Sequence, residues 1–335
     1  MKLKLLVPFL LLMVATAMQG QNSKLADQYY LEGEYEKAGD LYLKLHETAK
    51  KSNNYIYFNK YIECLLAMRQ FAQAEREIQT QMKAEPDNFS LIVTLGNVQE
   101  RMGNFEAAQT SYKQAIEKLP PRLDAITNLG NAFLSQAKYD EAIETYEKGE
   151  KLMNTPGIFS YQLADLYKRN GNTAKMIEQY LYSLQASPNN IENIQNVLQR
   201  SLKQEDYAEL MAQLYVFIQE YPETDYFPEM LAWTFMQQKD YSKAMRQAKA
   251  LDKRLGENGM RVYRLAQIAA NDRDYTTAIE GYEYILANQT PGSPFYIEAK
   301  RASLATKRRQ ITDNFNYTQE QLHALEMEYV AFIET

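Results

Sequence analysis

Small and apolar residues recur along this chain at steps of three and four, stop at a short polar turn, and resume. Around the first hundred residues, Leu95, Gly96 and Gln99 are followed by Met102-Gly103-Asn104 and then by Phe105, Ala108, Tyr112 and Ala115. Such spacing predicts an amphipathic helix, a turn and a second helix packed back on the first. The same figure returns every 34 residues. Gly96, Gly130, Ala164, Leu198, Ala232 and Ala266 stand at that interval, preceded by Ile62 and Ala26. Twelve positions later come Ala38, Ala74, Ala108, Ala142, Met176, Leu210, Ala244 and Ala278. Four further on come Tyr42, Ile78, Tyr112, Tyr146, Tyr180, Leu214, Ala248 and Tyr282. Pro86, Pro120, Pro188 and Pro222 keep the same beat, with Asn154 at the vacant step, and end the pairs because proline cannot continue a helix. The step from Ala26 to Ile62 is 36 residues, and the extra two are placed in a loop at Lys51-Ser52-Asn53-Asn54.

Eight helix pairs over residues 21–292 follow from these three series. One pair cannot cover its apolar face, so pairs must stack on their neighbours. The small residues let the two helices of a pair cross closely, and the tyrosines fill the gap to the next pair. In the sixth pair both crossing residues are leucines, Leu198 and Leu210, which predicts wider helix separation there. Residues 293–335 leave the register. Phe295 to Gln310 and Tyr317 to the end each read as a helix, the second opened by a capping box between Thr318 and Gln321. These helices are either a cap or the start of a continued array, with the second favoured.

The first 20 residues read differently. Lys2 and Lys4 precede the apolar run Leu5 to Ala17, and Ala15-Thr16-Ala17 and Gly20-Gln21 offer two cleavage sites, which predicts an export signal. The run falls short of the roughly 20 residues a membrane span needs. The expected location is therefore the periplasm or outside the cell, with no transmembrane segment once the signal is removed. Thirteen Gly and 10 Pro fit a helical chain with short connections, and the formal charge of −6 argues against nucleic acid as a partner.

Catalytic and metal-binding patterns are missing from the sequence. Cys64 is the single cysteine, so neither an internal disulfide nor a cysteine-built zinc site can form, and it reads as a small core residue. The two histidines, His46 and His323, sit apart, His46 where it can serve a helix end. There is no HExxH, no phosphate-binding glycine loop and no nucleophile elbow. Acidic pairs such as Asp140-Glu141 open second helices, where the helix dipole favours them. No catalytic residue, metal site or cofactor is expected. Lys300, Arg301, Lys307, Arg308 and Arg309 form a basic cluster, read as a solvated face or a surface for an acidic partner or anionic lipid.

Three repeats carry a family resemblance. Ile92-x-x-Leu95-Gly96-x-x-Gln99 with Ala108, Tyr112 and Pro120 resembles the tetratricopeptide repeat. So do Leu129-Gly130-x-x-Phe133 with Ala142 and Tyr146, and Leu163-Ala164-x-x-Tyr167 with Tyr180 and Pro188. The overall pattern is similar to exported repeat proteins of Gram-negative bacteria. No repeat has Trp at the family's first signature site, and the sixth repeat is degenerate. The resemblance implies an all-α, right-handed α-solenoid superhelix whose first helices line a concave groove that binds a protein or peptide.

Carried onto this chain, the groove position just after each small residue holds Asp27, Glu63, Asn97, Asn131, Asp165, Gln199, Trp233 and Gln267. Asn97 and Asn128 match the two asparagines of the family's carboxylate clamp, but Val93, Ile158 and Gln162 stand where its basic residues belong. A clamp on a peptide C-terminus is therefore not expected, although Asn97, Asn128 and Asn131 could hold a peptide backbone. Trp233 is the only Trp and breaks a polar series. With Tyr226 and Met236 on the same helix, and Met260 and Tyr263 on the next first helix, it forms the expected apolar anchor for a partner segment. A non-enzymatic scaffold or assembly factor is the favoured function. A carbohydrate- or cell-wall-binding protein with weak activity is the alternative.

Overall fold

The structure, a computed structural model, describes residues 21–48, 51–314 and 317–333, and the side chains of 51–54 and 314 also lie outside the description. The expected export signal at 1–20 falls outside the described residues. Every regular element among them is helical. The chain divides into two compact units, Met1–Pro156 and Gly157–Thr335. The first holds four helix pairs: α1 (21–31) and α2 (Tyr35–Thr48), α3 (Lys51–Ala67) and α4 (Phe71–Ala84), α5 (Ser90–Arg101) and α6 (Phe105–Glu117), α7 (Leu123–Ser135) and α8 (Tyr139–Met153). The second holds α9 (Ser160–Arg169) and α10 (Thr173–Ala186), α11 (Ile191–Ser201) and α12 (Asp206–Glu220), α13 (Tyr226–Gln237) and α14 (Tyr241–Leu255), α15 (Met260–Asn271) and α16 (Tyr275–Asn288). It ends with α17 (Pro294–Asn314) and α18 (Gln319–Ile333). Each unit is thus a stack of tandem helix pairs, the α-solenoid arrangement that the periodicity requires.

The turn inside a pair has one recurring form. A left-handed residue appears at Gly33, Arg69, Gly103, Ala137, Gly171, Lys239 and Arg273. The next amide then donates back to the last turn of the first helix, as Asn104 N to Gln99 O and Asp274 N to Ala269 O, both 2.9 Å or less. Asn172, Asp240 and Asp274 also cap the second helices, each accepting from the backbone amide three residues on at 3.1 Å. The sixth pair lacks this device. At the equivalent position Glu205 has φ −67°, and α11 ends in extended backbone at Leu202.

Close crossing depends on the first helix. A methyl group on Gly130 would lie 2.5 Å from the Tyr146 ring, and Gly96 stands in the same relation to Tyr112. Pairs with Gly or Ala at this position run closely together, including Ala164 against the large Met176. The backbones of α11 and α12, where Leu198 meets Leu210, scarcely approach each other, as their bulk predicts. The second pair is also loose: Ile62 holds α3 off α4, and α3 lies instead along α2, where Gly39 lets it in. A small residue on the second helix, Ala74, does not compensate.

Two boundary expectations change. Residues 51–54 are the first turn of α3 and not a loop, so the two extra residues lengthen a helix. More importantly, α17 is in register with the array. Tyr226, Met260 and Pro294 open α13, α15 and α17 at 34-residue steps, and Ala299, Ser303 and Leu304 are buried where Leu265, Ala269 and Ala270 are buried in α15. The sequence hid this because Lys300 occupies the crossing position. The capping box at the start of α18 forms in both directions, Thr318 N to Gln321 Oε1 at 2.9 Å and Gln321 N to Thr318 Oγ1 at 3.2 Å.

Candidate functional site

The tyrosine series is structural. Tyr42, Tyr112, Tyr146 and Tyr180 are all fully buried, and burial pushes the Tyr146 hydroxyl up to about 12. Tyr112 meets Phe133 of the following pair edge to face at 5.6 Å, so it bridges pairs as its spacing requires. Several groove positions serve these rings. Asp27 accepts from Tyr42 at 2.6 Å and from Lys60, and Asn131 accepts from Tyr146 at 3.4 Å. Burial alone would raise the Asp27 carboxyl, but the bonds from Lys60 and Tyr42 outweigh it and hold it below the ordinary value. Asn97 donates to Gln136 of the next pair. The Asn128 side chain is exposed, while its backbone carbonyl accepts from Ser90 at 3.3 Å. Asn97 and Asn131 are therefore already engaged in the stack. Cys64 is fully buried, which pushes its thiol up to about 12 and makes it inert core. His46 packs its ring against Phe58 at 5.1 Å.

The apolar candidates lie in the second compact unit. Trp233 is half-buried, and its ring lies 6.3 Å from that of Tyr207 of α12, centre to centre. Tyr226 and Met236, on the same helix, are likewise half-buried, and Met260 at the head of α15 is 45% exposed. Tyr226 rests edge to face on Phe227 at 4.6 Å, which fixes its ring at the start of α13. Tyr263 does not belong to this face. It is 9% exposed, wedged edge to face between Tyr282 at 5.7 Å and Phe295 at 5.5 Å, with its hydroxyl donating to Glu298 at 3.1 Å. This corrects the sequence expectation: α17 continues the stack and covers Tyr263, which a chain ending its register at residue 292 would have left open.

Ion pairs secure the start of α13. Arg261 on α15 pairs with Glu257 at 2.8 Å and reaches across to Glu229 on α13 at 3.3 Å. Arg254 likewise ties α14 to Asp225 at the start of α13. The N-terminal part of the helix carrying Trp233 is thus tied by ion pairs to its neighbours, while the Trp233, Tyr226 and Met236 side chains stay partly exposed. Partly exposed apolar anchors of this kind suit a partner's side chain. Sequence reasoning missed the ion-pair frame, because Glu229 and Arg261 are brought together only by stacking. Among the described residues no group of acidic, Cys or His side chains is placed to hold a metal ion, and no helix is long and apolar enough to cross a membrane.

Residues 93–157 and 159–190 match the tetratricopeptide repeat. A TPR repeat-containing protein of Methanocaldococcus jannaschii is 26% identical over 185 residues, which is 53% of this chain and 32% of that protein. The chain therefore spans about a third of the length of that curated relative. Among solved structures, the C-terminal part of a TPR repeat-containing protein from Cytophaga hutchinsonii covers 83% of this chain and 98% of its own, at 18% identity and a TM-score of 0.30. A tetratricopeptide repeat protein from Parabacteroides merdae covers 75% and 98%, at 16% identity and a TM-score of 0.27.

Proposed function

Because the chain is a tetratricopeptide-repeat protein, we propose that it acts without catalysis, as a scaffold that holds a segment of a partner protein. The segment docks on the exposed side of α13 and the head of α15. The observation that carries this reading is Trp233: the only Trp of the chain stands half-exposed where the other seven repeats are polar. Tyr226, Met236 and Met260 extend the apolar surface around it. In the same reading the chain is exported and meets its partner in the periplasm or outside the cell, directed by residues 1–20.

Selection from a displayed random-peptide library on the full chain tests the docking face. Enriched peptides are expected to carry apolar side chains and to change the Trp233 fluorescence on binding. Trp233→Ala should retain the helical circular dichroism and weaken those peptides by about 2 kcal/mol, some 30-fold in Kd. Peptides bound equally well by Trp233→Ala and Tyr226→Ala would remove this face as the site.

A further inference from the structure

Five basic residues crowd onto α17, and the structure separates them into two groups. Lys300 reaches Glu328 of α18 at 3.2 Å, and Lys307 reaches the same carboxylate at 2.9 Å and Glu283 at 3.5 Å. Arg309 lies over the Tyr275 ring at 5.3 Å. These three hold the end of the stack together. Arg301 and Arg308 are exposed and form no ion pair among the described residues, and the same holds for Arg264 on α15.

Register places these arginines on the same row of the stack as Trp233. Trp233, Gln267 and Arg301 occupy equivalent positions on α13, α15 and α17, so Arg301 continues the row that Trp233 begins. The three helices are neighbours, bridged by Glu229 to Arg261 and by Tyr263 to Glu298. Arg308 stands two turns beyond Arg301, about 10 Å along the helix. Of the acids nearby, Glu229 and Glu257 pair with Arg261, while Glu298 accepts from the neutral Tyr263 hydroxyl and keeps its charge, one carboxylate beside three arginines. A chain with formal charge −6 thus keeps more guanidinium groups than free carboxylates on the side that also exposes its Trp.

We infer that the docked segment is acidic beyond its apolar anchor, and that Arg301 and Arg308, with Arg264, receive its carboxylates. This rests on the docking face proposed above and adds the partner's chemistry. Guanidinium forks bind carboxylates through paired hydrogen bonds, and unpaired charge of one sign attracts the opposite sign at a range that salt shortens. A protein segment is favoured over an anionic membrane because the arginines share a row with partly buried Trp233, an aromatic anchor of the kind that receives a partner's side chain.

The full chain can be titrated with two fluorescein-labelled peptides sharing a Phe and Leu anchor, one followed by four glutamates and the other by four glutamines. The glutamate peptide should bind about tenfold more tightly at low ionic strength, with the difference shrinking as salt is added. The double variant Arg301→Gln with Arg308→Gln should abolish the difference, while Trp233→Ala should weaken both peptides alike. Equal binding of the two peptides, lost together in Trp233→Ala, would overturn the acidic partner and leave the docking face intact. Failure of both peptides to bind would overturn the inference together with the face. Vesicles of phosphatidylcholine with about one-third phosphatidylserine supply the last arm: vesicle binding that depends on Arg301 and Arg308, without discrimination between the peptides, would assign the face to lipid.

Discussion

Tyr112 can lie across its own pair and reach Phe133 of the next only because Gly96 has no side chain. Replacing Gly96 by Ala offers two opposed effects. Helix propensity favours the change by about 1 kcal/mol, but the new methyl would overlap the buried Tyr112 ring, and overpacking of this kind costs about 1–3 kcal/mol. The ring is fully buried and cannot swing away, so the steric effect should win. Gly96→Ala is expected to lower the denaturant midpoint, and adding Tyr112→Leu should recover part of the loss, giving a non-additive cycle. Additive effects would mean that the two residues do not compete for one space. The same logic explains a residue the spacing alone made conspicuous. In the seventh repeat Ala248 takes the place of the tyrosine, no hydroxyl needs an acceptor, and position 233 is released from the polar role that Asp27 and Asn131 perform.

At the scale of helices, the turn and the crossing fail together in the sixth pair. Leu198 and Leu210 keep α11 off α12, and the left-handed turn that closes the other pairs is replaced by extended backbone at Leu202. A helix with few close neighbours opens more readily than one packed along its length. Amide hydrogens of α11 should therefore exchange faster than those of α13, measured by deuterium uptake resolved to individual helices; equal protection would show that other contacts secure α11. The last helix depends on charge instead. Burial would raise the Glu328 carboxyl, but hydrogen bonds from Lys307 and Lys300 outweigh it and hold it below its ordinary value of 4.5. A carboxyl depressed in the folded state stabilises fully above that ordinary value and loses its contribution as pH falls through the lower, folded one. Docking of α18 on α17 should thus hold at neutral pH and weaken in acid below about pH 4. Limited proteolysis of α18 would report this, and Glu328→Gln should expose the same cleavage at neutral pH. Cleavage unaffected by either acid or the substitution would show that Leu325 and its apolar neighbours suffice.

For the molecule as a whole, the proposed export of the chain has a direct test. Mature protein isolated from its own host should begin between Met18 and Asn22 and lack Lys2 and Lys4, as read from its intact mass. A mass retaining residues 1–17 in a membrane-bound form would identify an anchor and move the docking face to a membrane surface.

The 34-residue period determined the architecture by itself. Small residues, tyrosines and turn residues at fixed offsets report contacts within a pair and to the next pair, and those are the contacts that build such a stack. The loosening of the sixth pair was legible for the same reason, because it follows from the size of two residues at known positions. Three features were decided only by the tertiary structure. Lys300 interrupts the pattern at the crossing position, yet α17 still packs in register, and that removed Tyr263 from the candidate surface. The second pair opened because Gly39 admitted α3 against α2, a contact outside the repeating offsets. The basic cluster on α17 divided into residues that bind Glu328 or cover Tyr275 and residues that remain exposed, since the pairing of charges depends on which helices meet in space and not on their order along the chain.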